Sequence, residues 1–382
     1  MPASARYTNL TRYENIGINK EFNLADGHAH QGQNSTQQSI VAELPDLFYA
    51  AEKARQADSE DEFQQAFYSL AGQHSAVTHP RTFLCYSASL ATDLVATYLS
   101  SKRLTVRLLQ PSFDNLATIL KRRNIPLVPV AENEFAPERL EAFLNSLGED
   151  ALFLTLPNNP TGFSLDPAAF ERVVGHCRVH GKILIIDCTF RFFATSPFWD
   201  QYEVLEKSGV SYIVVEDTGK TWPTQDLKCS ILAVSKDLYD DMLELHNDIL
   251  LNVSPFILRL LTSYVRDTER NGLDETIWSV IRSNRQALRD ALQGSIFAPA
   301  FPQSTVSVEW TRIDHATLRS EHVVEALGQD HLGILPGDHF YWADHETGSQ
   351  YIRFALARPC DWFVGACRHL RTVIGANEDF QA

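Results

Sequence analysis

From residue 81 to residue 234 the chain alternates short apolar runs with segments that have helical patterning. Each apolar run ends in polar residues, and the runs lie at 82–86, 105–109, 151–156, 183–186, 212–215 and 229–234. This alternation predicts strand–helix units, and hence an α/β fold with a mostly parallel sheet flanked by helices. In such sheets ligands bind beyond the carboxyl ends of the strands, so the polar residues there are candidate site residues.

The first two strand ends carry a candidate anion site and an aromatic ring. Ser87, Ala88 and Ser89 follow the first run and open a helix, where backbone N–H groups and hydroxyls can bind an anion. A plain helix N-cap explains these residues equally well. Phe113 follows the second run, where its ring can stack on a planar ligand or pack in the core.

The next two strand ends supply an amide and a carboxylate. Asn159 lies in an Asn-Pro-Thr-Gly run, which is turn chemistry in its own right but also directs the amide to the same sheet edge. Asp187 closes an apolar run, with Thr189 just beyond it. A buried carboxylate is costly unless it pairs with a positive group. A protonated pyridine nitrogen would serve as that group.

The fifth run, 212–215, is followed by polar residues and a lysine, Lys220. A second cation, Lys228, comes eight residues after Lys220. A lysine at a strand end can form a Schiff base, and a second cation can hold a phosphate. A surface lysine is the simpler alternative. The triplet at 219–221, Gly-Lys-Thr, does not close a Walker A loop, because Val214 occupies the position that requires glycine.

Composition narrows the class of protein. The net charge of −15 argues against nucleic acid or an anionic membrane as a partner and weakly favours a cationic substrate. No apolar run is long enough to span a membrane, no signal region is evident, and the six scattered cysteines suit reduced thiols. We therefore expect a cytoplasmic enzyme.

The N-terminal region does not have the composition of a domain. Residues 9–16 predict a short amphipathic helix, and the segment 23–31 that follows contains Asp26, His28 and His30. Histidines spaced in this way beside an aspartate also occur in metal-dependent amidohydrolases, but no strong strand precedes the segment, and a solvated loop is a further alternative. The interpretation we favour is a polar arm, without a metal, that folds over an active site.

The length of 382 residues suggests two domains. We expect an N-terminal arm or lid at 1–45, a large cofactor-binding domain at 46–284 and a smaller C-terminal α+β domain at 285–382. The last of these contains predicted strands and helices of its own and Arg353.

Taken in order, these residues resemble the fold-type I pyridoxal 5'-phosphate (PLP) aminotransferases. The resemblance implies that Asn159 holds the ring hydroxyl of PLP and that Asp187 pairs with the ring nitrogen. It further implies that Lys220 binds the cofactor covalently, Lys228 holds its phosphate and Arg353 binds the substrate carboxylate. It covers about residues 80–375.

Three departures from the family pattern are informative. Lys228 stands where an arginine is usual, Phe190 where a tyrosine is usual, and Asp217 where a phosphate-binding serine is usual. At the first position, the single ammonium of Lys228 replaces a guanidinium that could bind a phosphate through two hydrogen bonds. An added carboxylate near the lysine makes sense if Asp217 faces a cationic side chain of the substrate.

A narrower resemblance is carried by the runs NLADGHAHQ, PSFDN, LPNNPTG, EDTGKTWPTQDLK and NDILLNVSP. They are similar to those of the PLP-dependent L-arginine oxidases of nonribosomal-peptide and indolmycin biosynthesis. Those enzymes use dioxygen without metal or flavin. Their products are 4-hydroxy-2-ketoarginine or a desaturated compound, with 2-ketoarginine, ammonia and hydrogen peroxide on the side.

This resemblance implies roles for the N-terminal residues. Thr11 and Glu14 would lie on a lid, Asp26 and Asp217 would hold the guanidinium, and His28 would act near the substrate side chain. The expected partners are L-arginine and dioxygen, in a homodimer. Two alternatives stay open: a PLP aminotransferase acting on arginine or another basic amino acid, and a metal hydrolase built on His28 and His30.

Overall fold

The computed structural model describes residues 9–78, 81–194 and 198–381. Its strands, in chain order, are β1 (Phe22–Asn23), β2 (Thr82–Cys85), β3 (Val106–Gln110), β4 (Leu127–Ala131), β5 (Ala151–Thr155), β6 (Ile183–Asp187), β7 (Tyr212–Asp217), β8 (Ser230–Val234), β9 (Phe297–Pro299), β10 (Val308–Ile313), β11 (Leu332–Gly333), β12 (Leu335–Pro336) and β13 (Tyr351–Ala355).

In the described residues, one α-helix separates each strand from the next between β2 and β7. The α-helices are α1 (Leu10–Gly17), α2 (Ser35–Ala42), α3 (Leu44–Lys53), α4 (Gln56–Leu70), α5 (His74–Thr78), α6 (Ala88–Ser101), α7 (Asn115–Arg122), α8 (Leu140–Ser146), α9 (Pro167–Val179), α10 (Gln201–Ser208), α11 (Tyr239–Ile249), α12 (Pro255–Leu273), α13 (Ser279–Leu292), α14 (Ser320–Gln329), α15 (His345–Gly348) and α16 (Cys360–Ala376).

Within the described ranges, the large sheet has seven strands in the order β2-β8-β7-β6-β5-β3-β4. All of them run parallel except β8, which is antiparallel to both β2 and β7. The central strands β5, β6 and β7 are buried along their whole length, as expected for a sheet with helices on both faces. The sequence-based prediction of a mostly parallel α/β sheet is confirmed.

Strand β4 was not predicted from the sequence. It lies at the edge of the large sheet, its residues are largely exposed, and it contains Pro129. Proline is tolerated at an edge because a missing backbone donor costs little there. An exposed edge strand therefore lacks the apolar pattern that revealed its neighbours.

A second, antiparallel sheet has the order β12-β13-β10-β9 among the described residues, and it shares an apolar core with α13 and α16. We call this sheet, with α13, α16 and the residues between them, the C-terminal unit. The predicted boundary at 284/285 falls inside α13, and the division of the chain into domains stays a prediction. No helix in the described parts of the chain combines the length and the apolar character needed to cross a membrane.

The N-terminal segment is attached to the C-terminal unit. Helix α1 begins after Asn9, whose side chain caps it by accepting from the Arg12 N–H at 2.9 Å. Strand β1 then pairs in parallel with β11. Gly17 and Gly333 allow this close packing, because a Cβ added to Gly333 would lie 2.7 Å from the Gly17 Cα. The predicted helix at 9–16 is confirmed.

Candidate active site

A cavity of about 270 Å³ lies beyond the carboxyl ends of the large sheet, between that sheet, α1 and the C-terminal unit. Nearly all the residues predicted for cofactor and substrate line it. They are Thr11, Glu14, His28, Ser87, Ala88, Ser89, Phe113, Asn159, Asp187, Thr189, Asp217, Lys220, Lys228 and Arg353. Asp26 is the predicted site residue that does not appear in the cavity wall of the described structure.

Asp187, the last residue of β6, is a buried carboxylate with one oxygen already satisfied. Its Oδ1 accepts from the backbone N–H of Thr189 at 2.9 Å and from the Thr189 hydroxyl. Burial raises the pKa of Asp187 to about 6, against the effect of these hydrogen bonds. Among the described residues no donor reaches Oδ2, so a protonated pyridine nitrogen fits there.

Lys220 lies in the turn that follows β7, and its side chain lines the cavity. No hydrogen bond or ion pair to its ammonium occurs within the described ranges, which leaves the amine available to a carbonyl carbon. Thr155, at the end of β5, also lines the cavity, and its buried hydroxyl has no partner there either. These unpartnered groups fit a polar cofactor.

The N-terminus of α6 and Lys228 both line the cavity and offer donors for an anion. Ser87 caps the helix, since its Oγ accepts from the Leu90 N–H at 3.2 Å. Ser89 Oγ accepts from Asn115 Nδ2 at 3.1 Å. A helix N-terminus with nearby hydroxyls and an ammonium is well suited to a phosphate. The cap and the anion site predicted from the sequence are therefore compatible with each other.

Arg353 of β13 is almost fully buried, at 1% exposed. Its Nη1 lies 3.4 Å from Asn159 Oδ1 and its Nη2 3.4 Å from Glu14 Oε1, while Nη2 also donates to the Ala25 carbonyl. Burial lowers the pKa of Arg353. The Nε–H is buried and has no acceptor among the described residues. This guanidinium can therefore bind a carboxylate that enters the cavity.

Phe113 contributes its ring to the same part of the cavity. The Arg353 guanidinium carbon lies 5.8 Å from the ring centroid of Phe113 and 5.5 Å from that of Phe340, which are cation–π distances. The sequence suggested that Phe113 stacks on a planar ligand or packs in the core, and it did not predict this contact with Arg353. Stacking of Phe113 on a cofactor ring stays a prediction.

Asp217, the last residue of β7, presents a fixed carboxylate to the cavity. Its Oδ1 accepts from Ser230 Oγ at 2.6 Å and its Oδ2 from the Gly219 N–H at 2.8 Å. The residue is 4% exposed. Each oxygen retains a further lone pair, so the carboxylate can still bind a cation.

Asp26 lies behind His28 and holds two imidazoles. Its Oδ1 is 2.6 Å from His28 Nδ1 and its Oδ2 is 2.6 Å from His30 Nε2. Burial raises the pKa of Asp26, but the hydrogen bonds from the two histidines outweigh burial and hold the pKa far below its usual range. Asp26 lies outside the cavity wall, and its contact with a substrate guanidinium stays a prediction. Its position favours orientation of His28.

His28 is held from both sides of its ring. Nδ1 donates to Asp26, and Nε2 lies 3.0 Å from the Lys228 ammonium, which can only donate. Nε2 is therefore the nitrogen with the lone pair, and it faces the cavity beside Lys228. The pair His28 and His30, considered above as metal ligands, is instead joined through Asp26.

Helix α1 covers one side of the cavity through Thr11 and Glu14. The buried Asp114 carboxylate anchors the start of the helix, accepting from the Leu10 N–H at 2.9 Å. Sequence reasoning missed this anchor. It also missed Thr92, which lines the cavity one helical turn beyond Ser89 and could have been found from that i, i+3 spacing.

The geometry agrees with comparisons to known proteins of solved structure. The chain is similar, at 36% identity, to MppP in a structure soaked with the product 2-ketoarginine; the match covers 91% of this chain and 98% of that one with a TM-score of 0.83. It shares the fold of aspartate aminotransferase from Thermus thermophilus, with a TM-score of 0.75 at 13% identity, over 96% of this chain and 97% of the other.

Sequence relatives with assigned activities are more distant. The LL-diaminopimelate aminotransferase of Chlamydia pneumoniae is 25% identical over 258 residues, which are 65% of this chain and 62% of that relative. The corresponding enzyme of Maridesulfovibrio salexigens is 21% identical over 248 residues, 62% of this chain and 60% of the relative. The match thus spans less than two thirds of the length of either aminotransferase.

The family model for aminotransferase class I and II matches residues 19–359. That range contains the large sheet, the smaller antiparallel sheet and most of the cavity residues. The fold is the fold-type I aminotransferase fold, and the cofactor of such enzymes is pyridoxal 5'-phosphate. The chain belongs to the aminotransferase class I and II family and is a PLP-dependent enzyme.

Proposed function

We propose that this enzyme oxidises free L-arginine with dioxygen. The product would be 4-hydroxy-2-ketoarginine or a didehydroarginine-derived compound, with 2-ketoarginine, ammonia and hydrogen peroxide as by-products, in natural-product biosynthesis. The observation that carries this proposal is the buried carboxylate of Asp217, which lines the same cavity as Lys220 and Arg353. Similarity to MppP, solved with the product 2-ketoarginine, supports it.

The cavity offers complementary charges for both ends of arginine. Arg353 would bind the α-carboxylate, using the guanidinium edge whose Nε–H has no acceptor in the described structure. Asp217 would accept from the substrate guanidinium in a charge-assisted pair. A substrate bound in this way has its α-amino group near Lys220.

The cofactor supplies an electron sink that stabilises negative charge at the substrate Cα. Lys220 would accept the Cα proton at Nζ as a general base. Asp187 Oδ2 would accept from the ring nitrogen and keep it protonated. These roles are common to oxidases and aminotransferases.

The by-product reaction requires dioxygen as the electron acceptor. Arginine, dioxygen and water give 2-ketoarginine, ammonia and hydrogen peroxide, so the Cα–N bond is oxidised by two electrons and dioxygen is reduced by two. A transaminase instead passes the amino group to a 2-keto acid. The two activities therefore differ in whether dioxygen or a 2-keto acid is the second reactant.

His28 is the candidate base for chemistry on the side chain. Its Nε2 carries the lone pair, because Nδ1 donates to Asp26, and this lone pair would become available when Lys228, which donates to it here, binds the cofactor phosphate instead. From the cavity wall it would remove a Cβ or Cγ proton or activate a water for addition at Cγ. Thr11 and Glu14 on α1 would exclude other water from the reacting carbons.

Oxygen uptake by the purified, yellow holoenzyme on addition of L-arginine, without any keto acid, tests the proposal. Uptake with stoichiometric consumption of arginine is the expected result, and mass spectrometry then identifies the product. No uptake, with activity restored by 2-oxoglutarate or pyruvate, would contradict it. That result would favour an aminotransferase for basic amino acids, which the similarity to LL-diaminopimelate aminotransferases makes the second candidate.

We propose further that the enzyme acts as a homodimer in the cytoplasm. Large apolar side chains are exposed near the N-terminus of α12, among them Phe48 at 51%, Tyr49 at 61% and Leu251 at 91%. A patch of this kind is typical of a protein interface. Light scattering coupled to gel filtration should give twice the chain mass of 43.1 kDa, and a monomeric mass would contradict the proposal.

A further inference from the structure

We propose a divalent-cation site in the C-terminal unit, formed by the side chains of Asp338, His339 and His345. Asp338 and His339 belong to a short 3₁₀ helix, Asp338–Phe340, and His345 opens α15. One potential ligand atom from each side chain lies within 4.8 Å of the other two. None of the three residues lines the active-site cavity.

Two buried polar atoms of this group have no hydrogen-bond partner among the described residues. They are Oδ1 of Asp338, a residue that is 8% exposed, and Nε2 of His339. The His339 Nε2 atom is 3.8 Å from Asp338 Oδ2, which is too long for a hydrogen bond. Unpartnered buried groups are destabilising, and a cation between the two side chains would satisfy both.

In the described structure, the contacts of the two histidines leave one ring nitrogen of each available to the site. His345 Nδ1 lies 3.0 Å from the Asp338 carbonyl, which can only accept, so Nδ1 carries the hydrogen and Nε2 the lone pair. His339 Nδ1 lies 4.0 Å from Asp114 Oδ2, beyond hydrogen-bond distance, whereas its buried Nε2 has no partner among the described residues. Backbone carbonyls orient metal-binding histidines in the way that the Asp338 carbonyl orients His345.

The backbone that carries the ligands is closely packed. A Cβ added to Gly348 would lie 2.6 Å from the Asp338 Cα, and one added to Gly337 would lie 2.5 Å from the Gly348 carbonyl oxygen. Asp344 caps α15 by accepting from the Thr347 N–H at 3.3 Å. The ligands are thus held on a rigid loop, which reduces the ordering cost of binding.

The donor set indicates a first-row transition ion such as Zn²⁺. Two imidazoles and one carboxylate are typical ligands of this ion, and a water can complete a tetrahedron. The site also contacts α1, the helix that lines one side of the active-site cavity, since the His339 ring lies 5.8 Å from that of Tyr13. A bound cation would therefore stabilise the surface against which α1 packs.

Titration of the chelator-treated holoenzyme with Co²⁺, followed by its visible absorption, and with Zn²⁺, followed by calorimetry, tests the site. We expect one equivalent to bind, and His345→Ala to weaken binding by at least about tenfold. His345 is exposed, so this variant should fold. His74→Ala is the matched control, because His74 is also exposed and lies in α5, far in sequence from the proposed ligands.

Three results would overturn the proposal. They are the absence of stoichiometric binding, unchanged affinity in His345→Ala, and loss of binding in His28→Ala instead, which would assign the cation to the active site. Asp338→Asn provides a second variant, and it should lower the affinity by a similar factor.

Discussion

At the residue scale, the hydrogen bond between Asp26 and His28 should control how much of the substrate is modified on its side chain. Replacing Asp26 by asparagine removes the charge that fixes the Nδ1–H tautomer, so Nε2 no longer reliably carries the lone pair. We expect Asp26→Asn to lower the ratio of hydroxylated or desaturated product to 2-ketoarginine by at least about tenfold. Mass spectrometry of the products measures this ratio.

The control for that variant is Asp226→Asn. Asp226 lies 3.5 Å from Lys228 Nζ and 4.0 Å from His28 Nε2, but its side chain is 58% exposed, so water screens its charge. Its product ratio should stay within about twofold of that of the unmodified enzyme. An unchanged ratio in Asp26→Asn would show that His28 does not act on the side chain.

Asp217 should decide which substrates bind. A hydrogen bond to a charged group contributes about 1.5–3 kcal/mol, so Asp217→Asn should lower kcat/KM for arginine by roughly tenfold to a hundredfold. An uncharged amino acid of similar length should lose far less. Steady-state oxygen uptake with both substrates measures the difference, and equal losses would contradict the guanidinium role.

At the element scale, α1 is expected to act as a lid. A chain that starts at Lys20 lacks α1 but keeps β1 and its pairing with β11. We expect this shortened enzyme to release more 2-ketoarginine relative to the other products, because water reaches the site before the side chain has reacted. A product ratio equal to that of the full chain would exclude this role.

The turn that positions Asn159 rests on a partly buried acid outside the cavity. Glu132 Oε1 accepts from Asn158 Nδ2 at 2.6 Å and from Thr161 Oγ1 at 2.5 Å. Burial raises the pKa of Glu132 to about 7, against the effect of these two hydrogen bonds. The folded state therefore favours the protonated acid, and stability falls as pH rises from about 4.5 to about 7.

Glu132→Gln should remove this pH dependence while keeping an acceptor for Asn158 and Thr161. Thermal unfolding should show the variant to be roughly a few degrees more stable than the unmodified protein at pH 8, with the difference shrinking toward pH 4. A difference in Tm that is the same at both pH values would show that Glu132 does not titrate in this window.

At the scale of the whole molecule, the large sheet was predictable because its central strands are buried on both faces. β5, β6 and β7 appear in the sequence as apolar runs that end in polar residues. The very short strands β1, β11 and β12 were not predictable, because two residues carry no periodicity. Neither was the kink before α13, where Gly272 adopts a φ of +88°.

The active site was predictable to the extent that parallel strands bring their carboxyl ends together. That rule, with the family resemblance, led to Asn159, Asp187 and Lys220 in one cavity. It does not reveal what a loop residue contacts, and so the hydrogen bonds of Asp26 with His28 and His30 were not predicted. Such contacts depend on packing between segments far apart in the chain.

The hydrogen bonds of Arg358 have a consequence for the length of substrate that the proposed function predicts. Its guanidinium donates to the backbone carbonyls of Asn23, Asp26 and His28, which fastens the histidine-bearing segment to the C-terminal unit. Arg353 belongs to that unit as well, whereas Asp217 stands on the large sheet. Under the proposed roles of Arg353 and Asp217, the two ends of the substrate bind to different units. We expect an amino acid that is too short to reach both units to bind through one end only.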